Sequence, residues 1–394
     1  MSNFKAKKLV ALYTDIGRGH PNYMDSTLRA IKARLGELPA DFMITSVFRE
    51  STGLSLLAWK TIRKIYRAGA QGGIVSSLYN AVRTKETPPS QDNRALKILG
   101  RDLRRAFDGF DGILLVAHPM LVQILGDICH VYYIHGEIAA PMEFIPAHAE
   151  KIYLPLAETA EKMISRGVPS ERIEITGLML EPELVPDAAR IIMKRLSRIE
   201  TVQIPTFGFF TSGAYPKKHV KQIIEGINHI LKHKIGHVIL SAGNDSRMFL
   251  RFIKKLNHYK PLTETDLFMQ NKHDLLILHD PEREKLTLKE LEMLPYLDIL
   301  VMAAHERVNW SLAFNMPTIL LQPNIGSFSG MNFEFTAGHA PIFHHPYGNI
   351  TTCIEGFLQK YREKDKMLFE QTRKFDIHGS GYVADSILKA LSLE

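Results

Sequence analysis

The 394-residue sequence predicts an α/β protein built from two successive Rossmann-like domains. Short apolar segments alternate with helical segments along the whole chain, which is typical of parallel sheets covered by helices. A polar segment with three prolines interrupts this alternation near residues 181–205. The length also exceeds the size at which one hydrophobic core stops growing. We therefore expect an N-terminal domain at 1–185, a linker at 186–200, a C-terminal domain at 201–365 and a helical segment at 366–394 that crosses back to the N-terminal domain.

Each expected element follows from its local pattern. Asp25 to Leu35 and Lys218 to His233 have helical spacing, and Lys360 to Leu393 predicts helices with a glycine-rich break at HGSGY. The short apolar runs predict strands. In chain order these strand segments are KLVALYT, DFMITSVF, GILLVAHP, VYYIHG, KIYLPL and RIEITG, followed in the second half by TFGFFTS, HVILSAG, DLLILHD, LDILVMA and PTILLQP.

Composition narrows the class of protein and its partners. The formal net charge is +7, which favours anionic partners. The two cysteines, Cys129 and Cys353, lie far apart, so neither a CxxC site nor a disulfide framework is indicated, and a reducing cytoplasmic compartment is expected. Because no apolar run reaches the roughly 18 residues of a spanning helix, a membrane contact would be peripheral, on the inner face of the membrane.

The turn after the first strand, TDIGRGHPNYMDS, is rich in glycine. Gly17 and Gly19 permit backbone geometry that other residues avoid, and the helix that follows offers free N–H groups to an anion. A dinucleotide site requires GxGxxG, whereas this turn has Asn22 at the third glycine position. The second strand also lacks a terminal acidic residue for a ribose. These departures argue against a nicotinamide-dependent oxidoreductase. His20, at the mouth of the helix, can hydrogen-bond a ligand and exchange a proton near neutral pH, or it can simply cap or pack in the loop.

This turn resembles the opening loop of the glycosyltransferase family that contains monogalactosyldiacylglycerol synthases, processive diacylglycerol glucosyltransferases and the muramyl-pathway N-acetylglucosaminyltransferase. Members have two Rossmann-like domains around a cleft, the GT-B arrangement. His118 and Pro119 resemble the family's strand that ends in His-Pro. The resemblance implies that Gly17, Gly19 and His20 line the cleft. The end of the first half also matches, at Gly167, Val168, Ile173, Thr176 and Gly177.

The second half resembles the donor-binding half of the same family. The turn in FGFFTSGAYPKK stands where members bind the donor diphosphate, and HVILSAGNDSRM resembles their strand followed by Gly-x-Asn. The resemblance implies a nucleotide-sugar co-substrate, with uridine as the expected base and no other cofactor. The implied donor residues are Thr211, Ser212, Gly213, Ala214, Gly243 and Asn244.

The family's donor-sugar motifs are altered. Trp310 stands where members place the glutamate of GGxTxxEA, and only Asn332 of SFSGMN matches the element GQExxN. These departures are compatible with a different nucleotide sugar, with a rebuilt pocket or with no catalysis. The candidate residues of this pocket are His305, Glu306, Arg307, Asn309, Ser329 and Asn332.

A basic amphipathic segment, LLAWKTIRKIYRA, follows the second strand. Its basic residues occupy one helical face, and Trp59, Ile62, Ile65 and Tyr66 occupy the other. This pattern suits an anionic membrane surface or an amphiphilic acceptor such as a lipid, and it also suits an ordinary surface helix. Nucleic-acid binding is not expected, because the chain has no recognised binding fold. The candidate acceptor or membrane residues are Trp59, Lys60, Arg63, Lys64, Tyr66 and Arg67.

The leading functional hypothesis is an inverting, metal-independent glycosyltransferase that moves a sugar from a nucleotide-diphosphate donor to a hydroxyl acceptor. His20 is the first candidate for the base, followed by Glu137 and His118. No DxD pair or His/Cys cluster indicates a metal. One alternative is a sugar-nucleotide epimerase or hydrolase on the same scaffold. Another is a non-catalytic binding protein, for which Trp310 and SFSGMN are the main observations.

Overall fold

The computed structural model describes residues 8–14, 19–69, 94–140, 145–265, 274–325, 327–345, 349–369 and 374–392. The chain divides into two compact units. In the described residues, the first unit extends to Gly69, continues from Arg94 to Val185 and ends with Asp376 onwards, and the second unit covers Pro186 to Phe375. Each unit is built around its own six-stranded sheet, which confirms the expected α/β class with two Rossmann-like domains.

In the first unit all the strands are parallel, in the order β2-β1-β3-β4-β5-β6. Leu9 of β1 pairs with Phe42 of β2 on one side and with Ile113 of β3 on the other. The strands are β1 Leu9–Tyr13, β2 Phe42–Ser46, β3 Ile113–Val116, β4 His130–Ile134, β5 Lys151–Leu154 and β6 Ile173–Ile175. The helices are α1 Gly19–Leu35, α2 Val47–Glu50, α3 Gly53–Gly69, α4 Arg94–Ala106, α5 Pro119–Leu125 and α6 Ala157–Ile164.

Two helical layers bury the faces of this sheet. Alternate side chains of the strands pack against α3, α4, α5 and α6 on one face, where Trp59 and Leu103 are fully buried. The other face packs against α1 and against the C-terminal helix α15, Gly379–Leu391. The Arg34 guanidinium forms an ion pair with Asp385 across these two helices. The last helix of the chain is therefore part of the first unit.

The second sheet is also parallel, in the order β12-β11-β10-β7-β8-β9. Numbered from its own first strand, this is the 3-2-1-4-5-6 arrangement of nucleotide-binding folds. The strands are β7 Thr206–Phe210, β8 His237–Ser241, β9 Leu275–Leu278, β10 Ile299–Met302, β11 Thr318–Leu320 and β12 Ile342–Phe343. The helices are α7 Leu184–Glu200, α8 Lys217–His233, α9 Ser246–Leu256, α10 Arg283–Met293, α11 Val308–Phe314, α12 Ser327–His339, α13 Ile350–Arg362 and α14 Lys366–Phe369.

The segment expected as a linker lies inside the 17-residue helix α7. Arg195 of this helix is fully buried and donates to the carbonyl oxygen of Asn315 at 2.7 Å. Arg198 donates to the buried carboxylate of Asp298 at 2.8 Å. Because both bonds reach other elements of the second unit, residues 186–200 are an integral helix of that unit.

Three further details differ from the sequence-based expectation. Helix α1 begins at Gly19 instead of Asp25, the short strand β12 was not expected, and HGSGY lies at the start of α15 instead of interrupting a helix. Within the described ranges, the structure contains no helix that is both long and apolar enough to cross a bilayer.

Candidate functional site

Each sheet has one point where the strand order reverses, and ligands of open α/β sheets bind at such points, beyond the carboxyl ends of the strands. In the first unit this point lies between β1 and β3, and in the second it lies between β7 and β10. The residues that follow these four strands are therefore the candidates for ligand contact.

In the first unit the reversal point brings two histidines together. His20 lies in the first turn of α1 and His118 follows β3, and their ring centroids are 4.9 Å apart. His118 is the N-cap of α5, where its Nδ1 accepts a hydrogen bond from the amide of Met120 at 3.2 Å. Neutral His118 must then carry its proton on Nε2, because Nδ1 acts as an acceptor. The cap fixes the His118 ring beside His20.

The segment after β4 places a third histidine, His135, near enough to His20 to feel its charge. Burial lowers the pKa of His135 to about 3, so its imidazole is neutral at ordinary pH. Its Nε2–H donates to the carbonyl of Ala139 at 2.8 Å, and its Nδ1 accepts from the Tyr133 hydroxyl at 2.9 Å. His135 therefore has a structural role. Glu137 is half-buried. Burial raises the pKa of Tyr133, and the negative charge of Glu137 adds to this effect, so Glu137 lies close to Tyr133.

Packing holds the start of α1 in place. A Cβ atom on Gly136 would lie 2.3 Å from the ring of Tyr23, so only glycine fits under that ring. The Tyr13 hydroxyl, at the end of β1, donates to the buried Asp25 carboxylate at 2.6 Å. Sequence reasoning did not identify Asp25 as part of this arrangement. Gly17 lies outside the described residues, and Gly19 is the first residue of α1.

In the second unit the reversal point holds an open concavity between the ends of β7 and β10. The lining residues are Phe210, Thr211, Ser212, Met302, Ala303, His305, Glu306 and Arg307.

The turn after β7 contributes one available hydroxyl. The Thr211 hydroxyl donates to the Ser241 carbonyl at 3.0 Å and is thus used to join β7 to β8. The Ser212 Oγ is buried without a hydrogen-bond partner, so a ligand can supply one. Gly213 and Ala214 complete the turn that leads towards α8.

Gly243 and Asn244 do not line this concavity, although the sequence placed both on the donor side. A Cβ atom on Gly243 would lie 2.1 Å from the Tyr215 hydroxyl, so this glycine is needed for packing against Tyr215. Asn244 is exposed beside the start of α9. Both residues follow β8, which is not one of the two strands at the reversal point, although a Cβ atom on Gly243 would also lie 3.1 Å from the Thr211 hydroxyl oxygen.

Arg307 is the central charged group of the concavity. Its guanidinium donates to Glu290 at 2.6 Å and to Glu306 at 3.2 Å, and it lies 5.1 Å from the ring centroid of Phe210. Trp310, at the position of the family's glutamate, packs edge-on against Phe210, with 5.5 Å between the ring centroids. An aromatic contact therefore replaces the carboxylate at this position. The sequence analysis missed Glu290. Its signal is that it lies four residues after Leu286 on α10 and so shares the buried face of this helix, where an unpaired carboxylate is rare.

The other predicted donor residues surround the loop after β10. His305 lines the concavity, where burial lowers its pKa, partly opposed by the charge of Glu306. Asn309, Ser329 and Asn332 are buried. The Asn332 amide donates to the carbonyl of Ala304 at 3.3 Å, so it supports the loop from behind.

The predicted acceptor or membrane residues of α3 do not share one surface. Trp59 is fully buried and its Nε1–H donates to the Leu99 carbonyl at 3.1 Å, so its assignment to an exposed surface was wrong. Tyr66 is partly buried against the same core, and the Arg63 guanidinium stacks 4.3 Å from the ring centroid of Phe48. Lys60 and Lys64 are exposed, and the side chain of Arg67 is outside the described part of the chain.

Within the described part of the chain, no group of three or more His, Cys, Asp or Glu side chains could hold a metal ion.

Solved structures of similar architecture include UDP-GlcNAc 2-epimerases. A UDP-GlcNAc 2-epimerase from Neisseria meningitidis bound to UDP-GlcNAc superposes with a TM-score of 0.54 at 13% identity, over 97% of this chain and 100% of that one. Staphylococcus aureus MnaA with UDP gives 0.56 at 11% identity over 98% of both chains. The Methanocaldococcus jannaschii UDP-GlcNAc 2-epimerase with UDP-GlcNAc and UDP gives 0.51 at 12% identity, over 98% of this chain and 100% of that one.

At such low identity these comparisons show a shared GT-B-like fold of two Rossmann-like units. No protein-family model matches the chain, and no curated protein matches it. The comparisons also correct the leading functional hypothesis. Glycosyl transfer is wrong as the main interpretation, because the similar structures over nearly the whole chain are UDP-GlcNAc 2-epimerases. They favour the alternative that the sequence left open, an epimerase or hydrolase on the same scaffold.

Proposed function

We propose that this protein binds a UDP-sugar and acts as a sugar-nucleotide epimerase or hydrolase, without a resident metal or other cofactor. The observation that supports this most directly is the concavity at the reversal point of the second sheet, with the partnerless Ser212 hydroxyl and the Arg307 guanidinium in its wall. The UDP-GlcNAc 2-epimerases of the same fold add a ligand class to that geometry.

Local electrostatics support a diphosphate beside the turn after β7. Helix α8 has 17 residues and starts five residues beyond Ser212, and the N-terminus of a long helix carries about half a positive charge. Lys217 and Lys218 in its first turn are exposed. These groups can stabilise phosphate charge where a metal ion would otherwise be used.

The chemistry requires groups that exchange protons. Without a redox cofactor, inverting a sugar carbon that carries hydrogen needs a base that removes a proton from one face and an acid that returns one to the other, and hydrolysis needs a base that activates water. His20, His118 and Glu137 are the proposed acid–base groups. His135 is not among them, because its pKa of about 3 and its two internal hydrogen bonds keep it neutral and occupied.

The resemblance to diacylglycerol and muramyl-pathway glycosyltransferases remains a resemblance in the order of short segments. Those enzymes also use nucleotide sugars, so it supports the same class of ligand. It does not extend to a hydroxyl acceptor, for which the structure offers no separate observation.

The deciding experiment is incubation with UDP-GlcNAc in the absence of any acceptor, followed by proton NMR. The proposal expects either a second UDP-sugar epimer or free sugar with UDP. His20→Ala and His118→Ala should lower the rate at least 100-fold, whereas His258→Ala, an exposed histidine of the second unit, should leave it unchanged. A folded protein whose melting temperature is unaffected by UDP and UDP-GlcNAc would contradict the proposal, because a ligand of the native state must stabilise it.

We also propose peripheral contact with an anionic membrane through α3 and α4. Together these helices contain nine Lys or Arg residues and one Asp, a net charge of +8, against +7 for the whole chain. These two helices pack on the same face of the sheet, and their net charge exceeds that of the whole chain, so the rest of the sequence carries a net charge of −1. Leu54, Leu57 and Ile65 are each more than half exposed on α3, which suits shallow insertion between lipid headgroups.

Vesicle sedimentation tests this contact. Binding to vesicles with 30–50% phosphatidylglycerol (about the range of anionic test membranes) is expected, with loss at high salt. Lys60→Glu with Lys64→Glu should abolish it, and Leu57→Ser should weaken it. Lys254→Glu with Lys255→Glu on α9 is the matched control and should bind normally. Binding to duplex DNA but not to vesicles would contradict the proposal. Such a contact would fit the expected cytoplasmic location, which stays a prediction.

A further inference from the structure

Two carboxylates contact the same arginine in the second-unit concavity, and they differ in their exposure and in their distance from the arginine. Arg307 is itself only 8% exposed in its side chain. Glu290 approaches it at 2.6 Å from α10, and Glu306 approaches it at 3.2 Å from the adjacent position in the chain. A charge of +1 is therefore held between two negative charges.

Glu290 is a buried counterion of Arg307. Its side chain is 1% exposed, one carboxylate oxygen accepts from Arg307, and the other accepts from the Ser241 hydroxyl at the end of β8. Neither oxygen is available to a ligand. Removing this carboxylate would leave the buried guanidinium without its closest partner.

Glu306 is placed differently. Its side chain is 12% exposed and lines the concavity, and its distance to Arg307 is 0.6 Å longer than that of Glu290. The Ser212 hydroxyl, buried and without a partner, lines the same concavity. An anion placed between them would gain a hydroxyl donor and a guanidinium, but it would meet the Glu306 carboxylate.

We propose that Glu306 occupies the position of a phosphate group on Arg307 in the unliganded protein. A diphosphate displaces the Glu306 carboxylate and takes its place on the Arg307 guanidinium, and the Ser212 hydroxyl donates to it. Glu290 remains bound throughout and acts as a positioning residue that holds the guanidinium towards the concavity. This inference rests on the proposed function, since it assigns the diphosphate of the nucleotide to this concavity.

Calorimetric titration with pyrophosphate and with UDP tests the inference, because the two carboxylates should act in opposite directions. Glu306→Gln removes a competing negative charge and should tighten pyrophosphate binding about tenfold. Glu290→Gln should weaken it by a similar factor. Ser241→Ala, which removes only a hydrogen bond to Glu290, should weaken it less and guards against loss of folding in the Glu290 variant. Glu284→Gln, an exposed carboxylate on the same helix, is the control and should bind as the wild type does.

Two results would overturn the inference. One is weaker binding of UDP or pyrophosphate by Glu306→Gln, which would make Glu306 a direct ligand contact. The other is a failure of both wild type and Glu306→Gln to bind pyrophosphate while UDP-GlcNAc is still turned over. Retained pyrophosphate binding without turnover of any UDP-sugar would instead overturn the proposed function and leave the carboxylate exchange standing.

Discussion

Replacing Gly136 with alanine tests whether packing beneath α1 positions His20. The added Cβ atom would lie 2.3–2.5 Å from three ring atoms of Tyr23, whereas ordinary contact begins at 3.4 Å. The ring, or the helix that carries it, must therefore move by about 1 Å. Tyr23 is only 3% exposed, so its ring is enclosed by the protein. Overpacking of this kind costs about 1–3 kcal/mol of unfolding free energy.

Urea denaturation at constant m-value measures that loss of stability. Gly330→Ala is the matched control, since its Cβ would meet nothing within 4 Å on helix α12. It should gain about 0.5–1 kcal/mol from helix propensity. His20 lies one turn before Tyr23 on α1, so the shift should also lower any UDP-sugar turnover, by up to about 100-fold for a displacement of 1 Å.

The reasoning is refuted if Gly136→Ala is as stable as the wild type to within about 0.3 kcal/mol, the usual error of such comparisons. A second test is the double variant with Tyr23→Leu. Because the smaller side chain relieves the contact, the two substitutions should be less destabilising together than the sum of their separate effects, by about 1 kcal/mol. Strict additivity would show that Tyr23 is not the group displaced.

Three other predictions follow from the same structure. His118→Ala removes the N-cap of α5 and should lower stability by about 1 kcal/mol, whereas His118→Asn should retain most of it, as measured by urea denaturation. Burial lowers the pKa of His135 to about 3 and that of His219 to about 4, so the unfolded chain binds more protons between these values and 6.5. These two histidines should therefore lower the free energy of unfolding only below pH 6.5, by up to about 1.4 kcal/mol per pH unit for each group. The His219→Gln variant should have a smaller slope between pH 6.5 and 4. Asp298→Asn leaves Arg198 without its buried counterion and should cost about 3–5 kcal/mol, which a thermal melt would show as a clear drop in Tm.

The strands could be predicted closely from the sequence. All eleven predicted strand segments are strands in the structure, from Leu9–Tyr13 to Thr318–Leu320. Parallel strands covered on both faces consist of continuous apolar residues, which makes them visible in a single sequence. The strand that was missed, Ile342–Phe343, has only two residues and is too short to show a pattern.

The orientation of α3 could not be predicted in the same way. The segment has apolar residues on more than one side, and periodicity does not show which side meets the sheet. In the structure Trp59 faces the core, while Leu57 and Ile65 face outwards. The orientation of α3 depends on a contact with α4: the Trp59 indole N–H donates to the carbonyl of Leu99, 40 residues further along the chain.

The candidate site, too, could be predicted only in part from the sequence. The sequence by itself determined the two α/β halves, the strand ends and the presence of Ser212, His20 and Arg307 near them, because these follow from local pattern and chain order. Only the tertiary structure decided that β7 lies beside β10, that Gly243 is used for packing and that Glu290 is the partner of Arg307. Strand order and burial depend on contacts between residues far apart in the chain, and local periodicity carries no information about such contacts.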